Sequence, residues 1–205
     1  MSILLAYLLA IRIKIVMKQR MFIALDISNP DKGKIDLWRG QHLSLPFKAI
    51  NPQNLHITLA FLGFIDNIQQ VRLTQLINQQ HDNIQQQVKS LITQNLPLSV
   101  ELSKIGYFKN AQVLHLMPTT DPDWLLCLHK QLIVLCINSN IALENSIYQP
   151  HLSLYRKSKF DSVSRLIELQ EINFTQKLNI TSFSLYHSYS TTSGVCYAPV
   201  HTWKL

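Results

Sequence analysis

Cysteines and acidic side chains are scarce in this chain. Its three cysteines, Cys127, Cys136 and Cys196, are odd in number and show no CxxC spacing. That argues against a disulfide framework or a zinc site and fits a reducing compartment such as the cytoplasm. No HExxH, P-loop or GxSxG string occurs, which removes three common catalytic signatures. Twelve Asp and Glu face nineteen Lys and Arg, for a formal net charge of +7. Such an excess favours polyanionic partners through steering and counterion release. Many basic proteins never touch nucleic acid, so charge alone assigns nothing. Low-complexity linkers are also missing, and with them any sign of independently folding domains. With 47% apolar and 15% charged residues over 205 positions, the chain has ample material for one core.

Residues 4–11 form an apolar stretch, followed by Arg12 and Lys14. It is too short to span a bilayer comfortably, and its charges come after the apolar run rather than before it as in a secretory signal. The expectation is that residues 1–16 are an over-extended start of the reading frame outside the fold, with a peripheral anchor or an added strand as the alternative. No stable membrane insertion is expected, and residues 17–205 are read as a single bilobal domain.

What the chain does contain is a repeated string. His56-Ile57-Thr58-Leu59 and His151-Leu152-Ser153-Leu154 each place a histidine two residues before a hydroxyl inside a β-like apolar run. In an extended strand, positions i and i+2 share a face, so each imidazole stands beside its hydroxyl. Histidine is the side chain whose unperturbed pKa suits both proton removal and proton donation near neutrality. Two such strands flanking one phosphate would supply a base, an acid and two hydroxyl donors without a metal. One His-x-Thr is usually a structural accident; two copies, each followed by leucine, point to chemistry.

Those strings sit in longer stretches that resemble a known family. MFIALD at 21–26, NPQNLHITLAFLG at 51–63, QPHLSLYR at 149–156 and the tail from Phe183 to Leu205 resemble the two-histidine phosphoesterase superfamily. Within it they resemble the RNA 2′,3′-cyclic phosphodiesterases, historically called 2′-5′ RNA ligases. The resemblance implies metal-independent hydrolysis of RNA 2′,3′-cyclic phosphate ends, or of cyclic nucleotides, to 2′-phosphomonoesters. It implies no cofactor. By it, His56 is read as helping the attacking water and His151 as protonating the leaving O3′. Thr58 and Ser153 match the phosphate-binding hydroxyls, Ser153 standing where the family more often has threonine. Arg156 matches an arginine that clamps a phosphate or contacts the nucleotide, and Phe61 an aromatic that stacks on a base. Strict alternation gives both the wrong parity, so Arg156 reaches the cleft only if its strand ends or bulges first. Tyr155 has the right parity and is a second candidate lining residue. Reversible 2′-5′ ligation, another cyclic phosphodiester substrate and a non-catalytic RNA-end-binding role stand as alternatives. A monomer is expected.

The other six histidines, His42, His81, His115, His129, His187 and His201, show no ligand spacing and are read as structural, so no metal site is expected. The spacing predicts a strand at 21–27, a helix from Asn29-Pro30-Asp31 and a histidine strand ended by Gly63. One helix or two should follow over 66–93, with a loose middle at His81-Asp82-Asn83. Strands are expected at 96–102 and 113–117, then a helix capped by Asp121-Pro122, the second histidine strand, a short helix from Asp161 or Ser162, and strands at 178–187 and 195–205. The implied architecture is α+β, an imperfect duplication whose antiparallel sheets flank a central groove, with helices outside.

Overall fold

A computed structural model describes residues 18–93, 96–144, 147–160, 163–192 and 194–205. The expectation for residues 1–16 lies outside the described residues, as do Asp161 and Ser162. Nine strands and four helices are described. In chain order they are β1 (Gln19–Leu25), α1 (Asn29–His42), β2 (Lys48–Ala49), a 3₁₀ turn (Pro52–Asn54), β3 (Ile57–Ile65), α2 (Asn67–Ser90), β4 (Ser99–Phe108) and β5 (Val113–Pro118). Then come α3 (Asp123–Asn138), β6 (Leu152–Arg156), α4 (Val163–Gln170), β7 (Gln176–Asn179), β8 (Ser182–Thr191) and β9 (Gly194–Lys204).

The strands form one antiparallel sheet in the order β7-β4-β5-β6-β3-β1-β8-β9, with β2 added on β6. Its two four-stranded halves meet at β3 and β6, which share one register pair, Ile57 with Leu152. Both residues are fully buried and fasten the seam. Beyond that pair the β3–β6 ladder stops, and a groove lined by Phe22, Lys32, His56, Tyr186 and Tyr197 lies beside the seam. The fold is α+β with the expected duplication, the two lobes being halves of a single sheet.

Local chemistry explains most element ends. Ser28 caps α1 by accepting from Asp31 N at 3.2 Å, and Pro30 suits the first turn. Asp66 and Gln69 form a reciprocal capping box at the start of α2. α2 runs unbroken through His81–Asn83 rather than loosening there. Its Ile77 and Ile84 are buried, while His81 Nε2 lies 2.6 Å from the Lys204 carbonyl and Gln85 Nε2 donates to the same oxygen at 3.0 Å. Tertiary anchoring to β9 therefore outweighs weak local propensity. α3 starts at Asp123 behind the expected Asp121-Pro122 cap, with Pro122 as the cap residue and no side-chain bond. Its predicted stripe of Trp124, Leu125, Leu128, Leu132, Leu135 and Cys136 is buried in full.

Three strand expectations need correction. Gly63 does not end β3; it sits inside it with φ of 67°, beside a register shift at Met21/Phe22. A glycine in the left-handed region next to an extra residue is how a strand bulges without stopping. β4 runs from Ser99 to Phe108, past its expected end at residue 102 and through Gly106 and Tyr107. The expected 178–187 strand is two strands. β7 pairs with β4 in one half, and β8 pairs with β1 in the other. The chain therefore crosses between halves at Ile180-Thr181.

Candidate active site

The register at Ile57 and Leu152 governs the site. Continued one step each way, it sets His56 opposite Ser153 and Thr58 opposite His151. All four then point to the same side of the seam. His56 turns Nδ1 to the Asn54 carbonyl at 2.6 Å and Nε2 to Thr58 Oγ1 at 3.1 Å. His151 turns Nδ1 to the Gln149 carbonyl at 2.8 Å. In both motifs Nδ1–H therefore donates to the carbonyl two residues back, leaving Nε2 as the acceptor nitrogen of the neutral ring. Such a bond uses backbone, so no side-chain signal marks it in the sequence.

Both motif strands carry an extra residue three places after the histidine. On β3, Thr58 pairs with Ala24 and Ala60 with Ile23, so Leu59 is the bulge. On β6, Ser153 pairs with His115 and Tyr155 with Leu114, so Leu154 is the bulge. A bulge reverses the alternation of every residue after it. Phe61, opposite Phe22, thereby joins the face of Thr58, and Arg156, opposite Val113, joins the face of Ser153. The condition set for Arg156 is met by the same device that turns Phe61 to the groove. Phe61 is 58% exposed. Tyr155 goes the other way: it is buried, and its hydroxyl donates to the Leu43 carbonyl. It packs in the core and does not line the groove.

Each bulge is held by a side chain from a helix. The Leu59 carbonyl lies 2.7 Å from His129 Nδ1 of α3, and the neighbouring Thr58 carbonyl accepts from the Tyr148 hydroxyl at 3.1 Å. The His129 and Tyr148 rings stack at 3.8 Å. The Leu154 carbonyl accepts from Arg39 Nη1 of α1 at 2.9 Å, and the same nitrogen donates to the Ile50 carbonyl at 2.8 Å. Side chains thus reinforce these carbonyls where β3 and β6 part, the Leu154 carbonyl also accepting from the Ile50 amide at 2.9 Å.

Around His56 the chain builds an aromatic wall that sequence reading missed. Phe22 lies 4.8 Å from the His56 ring, Tyr197 meets it edge-on at 5.2 Å, and Tyr186 stacks on Phe22. Tyr186 is fixed by its hydroxyl, which donates to Asp26 Oδ1 at 2.6 Å; Ser182 and Ser184 donate to Asp26 Oδ2. Burial and that carboxylate push the Tyr186 phenol up. Lys32 donates to the Gln53 carbonyl at 2.9 Å and borders the same recess. Burial pushes its ammonium down, partly offset by Asp26.

Burial, reinforced by the charges of Arg156, His151 and Lys32, pushes His56 down to about 4 against the pull of its Asn54 bond. His151 is also pushed down, by burial and then by Arg156, against its Gln149 bond. A third imidazole, His115, stands 5.2 Å from His151 and is likewise held at about 4, chiefly by burial. Sequence reading set His115 aside, since nothing in its spacing links it to His151. A neutral base and a cationic rim suit an anionic phosphate.

These shifts bear on stability. An unfolded histidine titrates near 6.5, so between about 6.5 and 4 the unfolded chain binds protons that the folded His56 and His115 refuse. Stability is full above that window and is lost as pH falls through it. Melting temperatures recorded from pH 7.5 to 4.5 should therefore decline; a level profile would contradict the burial described.

A groove with paired imidazoles, paired hydroxyls and one arginine on bulged strands of a duplicated sheet defines a two-histidine phosphoesterase. Residues 11–205 match the AKAP7 2'5' RNA ligase-like domain, and the chain belongs to that family. It is similar to the protein of Escherichia coli (strain K12) named RNA 2',3'-cyclic phosphodiesterase, at 26% identity over 190 residues, 91% of this chain and 97% of the relative. A Methanocaldococcus jannaschii protein of the same name is 24% identical over 194 residues, covering 90% of this chain and 99% of that one. The crystal structure of E. coli LigT in apo form superposes with a TM-score of 0.72 at 23% identity, over 92% of this chain and 98% of that one, which shows the shared fold. Among the described residues no helix is long and apolar enough to cross a membrane, and no group of three His, Cys, Asp or Glu could hold a metal ion.

Proposed function

We propose that the protein hydrolyses 2′,3′-cyclic phosphates at RNA ends to 2′-phosphomonoesters, with His56 as base and His151 as acid. The observation that carries this reading is the pairing of Ile57 with Leu152, since it puts two imidazoles and two hydroxyls on one side of one seam. The names of the two relatives support the substrate class.

A water molecule attacks phosphorus in line with the P–O3′ bond. His56 Nε2 takes its proton, the new P–O bond forms as P–O3′ breaks, and His151 protonates the departing O3′. The larger set of cations bearing on His56 supports its role as the neutral partner, because Arg156, His151 and Lys32 all oppose its protonation. The bound phosphate anion favours a proton on His151 and so sets up the acid. The Thr58 hydroxyl turns from His56 Nε2 to a phosphate oxygen and frees the base. Ser153 holds an oxygen on the other side, and Arg156 neutralises the equatorial charge as it shifts in the transition state. Phe61 offers its exposed face to a base, a contact that tolerates any nucleobase.

The test is a short RNA ending in a 2′,3′-cyclic phosphate, incubated with the protein in EDTA and with an added 5′-hydroxyl RNA in a parallel arm. The expected product is a 2′-phosphate end in both arms, at a rate that EDTA does not change. A joined RNA in place of that end would move the reading to ligation, and binding without product would move it to RNA-end capture.

A further inference from the structure

His115 has no place in the proposed reaction, yet three strands cooperate to seat it. It lies on β5 between Gly106 of β4 and Ser153 of β6, and is 2% exposed. Gly106 is the condition for its position. A Cβ there would stand 2.3 Å from His115 Nε2 and 2.9 Å from Cε1, closer than any such contact allows. Close approach, and not backbone conformation, is therefore what requires glycine. Phe108 stacks on His115 with centroids 4.1 Å apart and meets His151 edge-on at 4.7 Å. The His115 and His151 centroids are 5.2 Å apart. The three rings touch one another above a glycine floor.

We propose that His115 is a positioning residue: seated on Gly106 and stacked on Phe108, it holds the His151 ring so that Nε2 faces the groove. The role rests on the reading that His151 acts on a phosphodiester. The bond from Nδ1 to Gln149 pins one point of the His151 ring, and a ring pinned at one point can still swing. Phe108 and His115 close off that swing from two sides. His115 stays neutral beside His151 because burial and the His151 charge both oppose its protonation. The proton goes to His151 and not to its brace.

The test is a double-mutant cycle of Gly106→Ala and His115→Ala, with His115→Phe as the packing-preserving variant. Turnover is followed on a nucleoside 2′,3′-cyclic phosphate, and the His151 imidazole is followed by NMR without substrate. His115→Ala should lower kcat by about 10- to 100-fold, the scale of a misplaced catalytic group, with KM nearly unchanged. Gly106→Ala should cost a similar factor in the wild-type background and little in the His115→Ala background, because contacting residues are not additive. His115→Phe should restore most of kcat. The His151 ring signals should shift in His115→Ala and stay near wild type in His115→Phe. Unchanged kcat in His115→Ala, or a Gly106→Ala loss independent of His115, would overturn the role. So would a His115→Phe variant as slow as His115→Ala, since the imidazole would then act in its own right. The NMR arm separates the two readings: a wild type that hydrolyses nothing sinks the hydrolase, while an unmoved His151 signal sinks the brace.

Discussion

Replacing either motif histidine by alanine is expected to lower kcat by about 10²–10⁴-fold on a 2′,3′-cyclic phosphate, the usual contribution of a lost acid or base. At about 1.4 kcal/mol per decade, that is roughly 3–5.5 kcal/mol of transition-state stabilisation. The variants should part company when the leaving group changes. A phosphodiester that releases p-nitrophenolate needs no acid, because the departing anion is stable without a proton. His151→Ala should recover most of its loss on that substrate, whereas His56→Ala should remain slow on both, since water still needs its base. The opposite pattern would exchange the two roles. With His56 held at about 4, kcat/KM of the wild type should rise with pH through that region as the base becomes free, and fall again as His151, itself pushed down by burial, loses its proton. The rising limb should vanish in His56→Ala.

Much of this site was legible because the motif is written twice. His56, Thr58, His151 and Ser153 follow from period-2 alternation, and the resemblance added Arg156 and Phe61. Alternation then failed at one position in each copy. The Leu59 and Leu154 bulges reverse the parity of Phe61, Arg156 and Tyr155, and leucine gives no hint that it will bulge. What makes each bulge tolerable is a donor from a distant helix, His129 in one half and Arg39 in the other, and such pairings leave no local trace. The α3 stripe was fully readable because its burial is one-sided and periodic. The unbroken α2 was not, since its polar middle is held by contacts to Lys204, more than a hundred residues away in the chain. His115 belongs to the same class: its meaning comes from Gly106 and His151 across two strand pairings.

Arg39 is where loss of one such long-range donor should cost most. It is 5% exposed and donates to the Ile50 and Leu154 carbonyls, while pairing with Asp36 and lying over the Tyr155 ring at 5.5 Å. Arg39→Met keeps the packing of the stem and removes the charge and the donors. The Leu154 carbonyl retains the Ile50 amide at 2.9 Å, but the Ile50 carbonyl loses the bond from Arg39. Charged hydrogen bonds of this kind are worth about 1.5–3 kcal/mol each, and the half-exposed Asp36 recovers water. The expected loss is about 3 kcal/mol in urea unfolding, or roughly 6–12 °C in Tm for a chain of this size. His129→Phe, which keeps the stack on Tyr148 and drops one bond to Leu59, should cost only about 1 kcal/mol. In the folded fraction, Arg39→Met should lower kcat/KM, because a relaxed Leu154 bulge turns Arg156 away from the phosphate whose charge it neutralises, while His151 stays on its own strand end. Arg39→Lys, with one compact ammonium in place of a planar fork, should fall between the two. A stability within 1 kcal/mol of wild type would mean that strand pairing alone keeps the bulge. The phosphate arginine would then owe its place to β5 and not to α1.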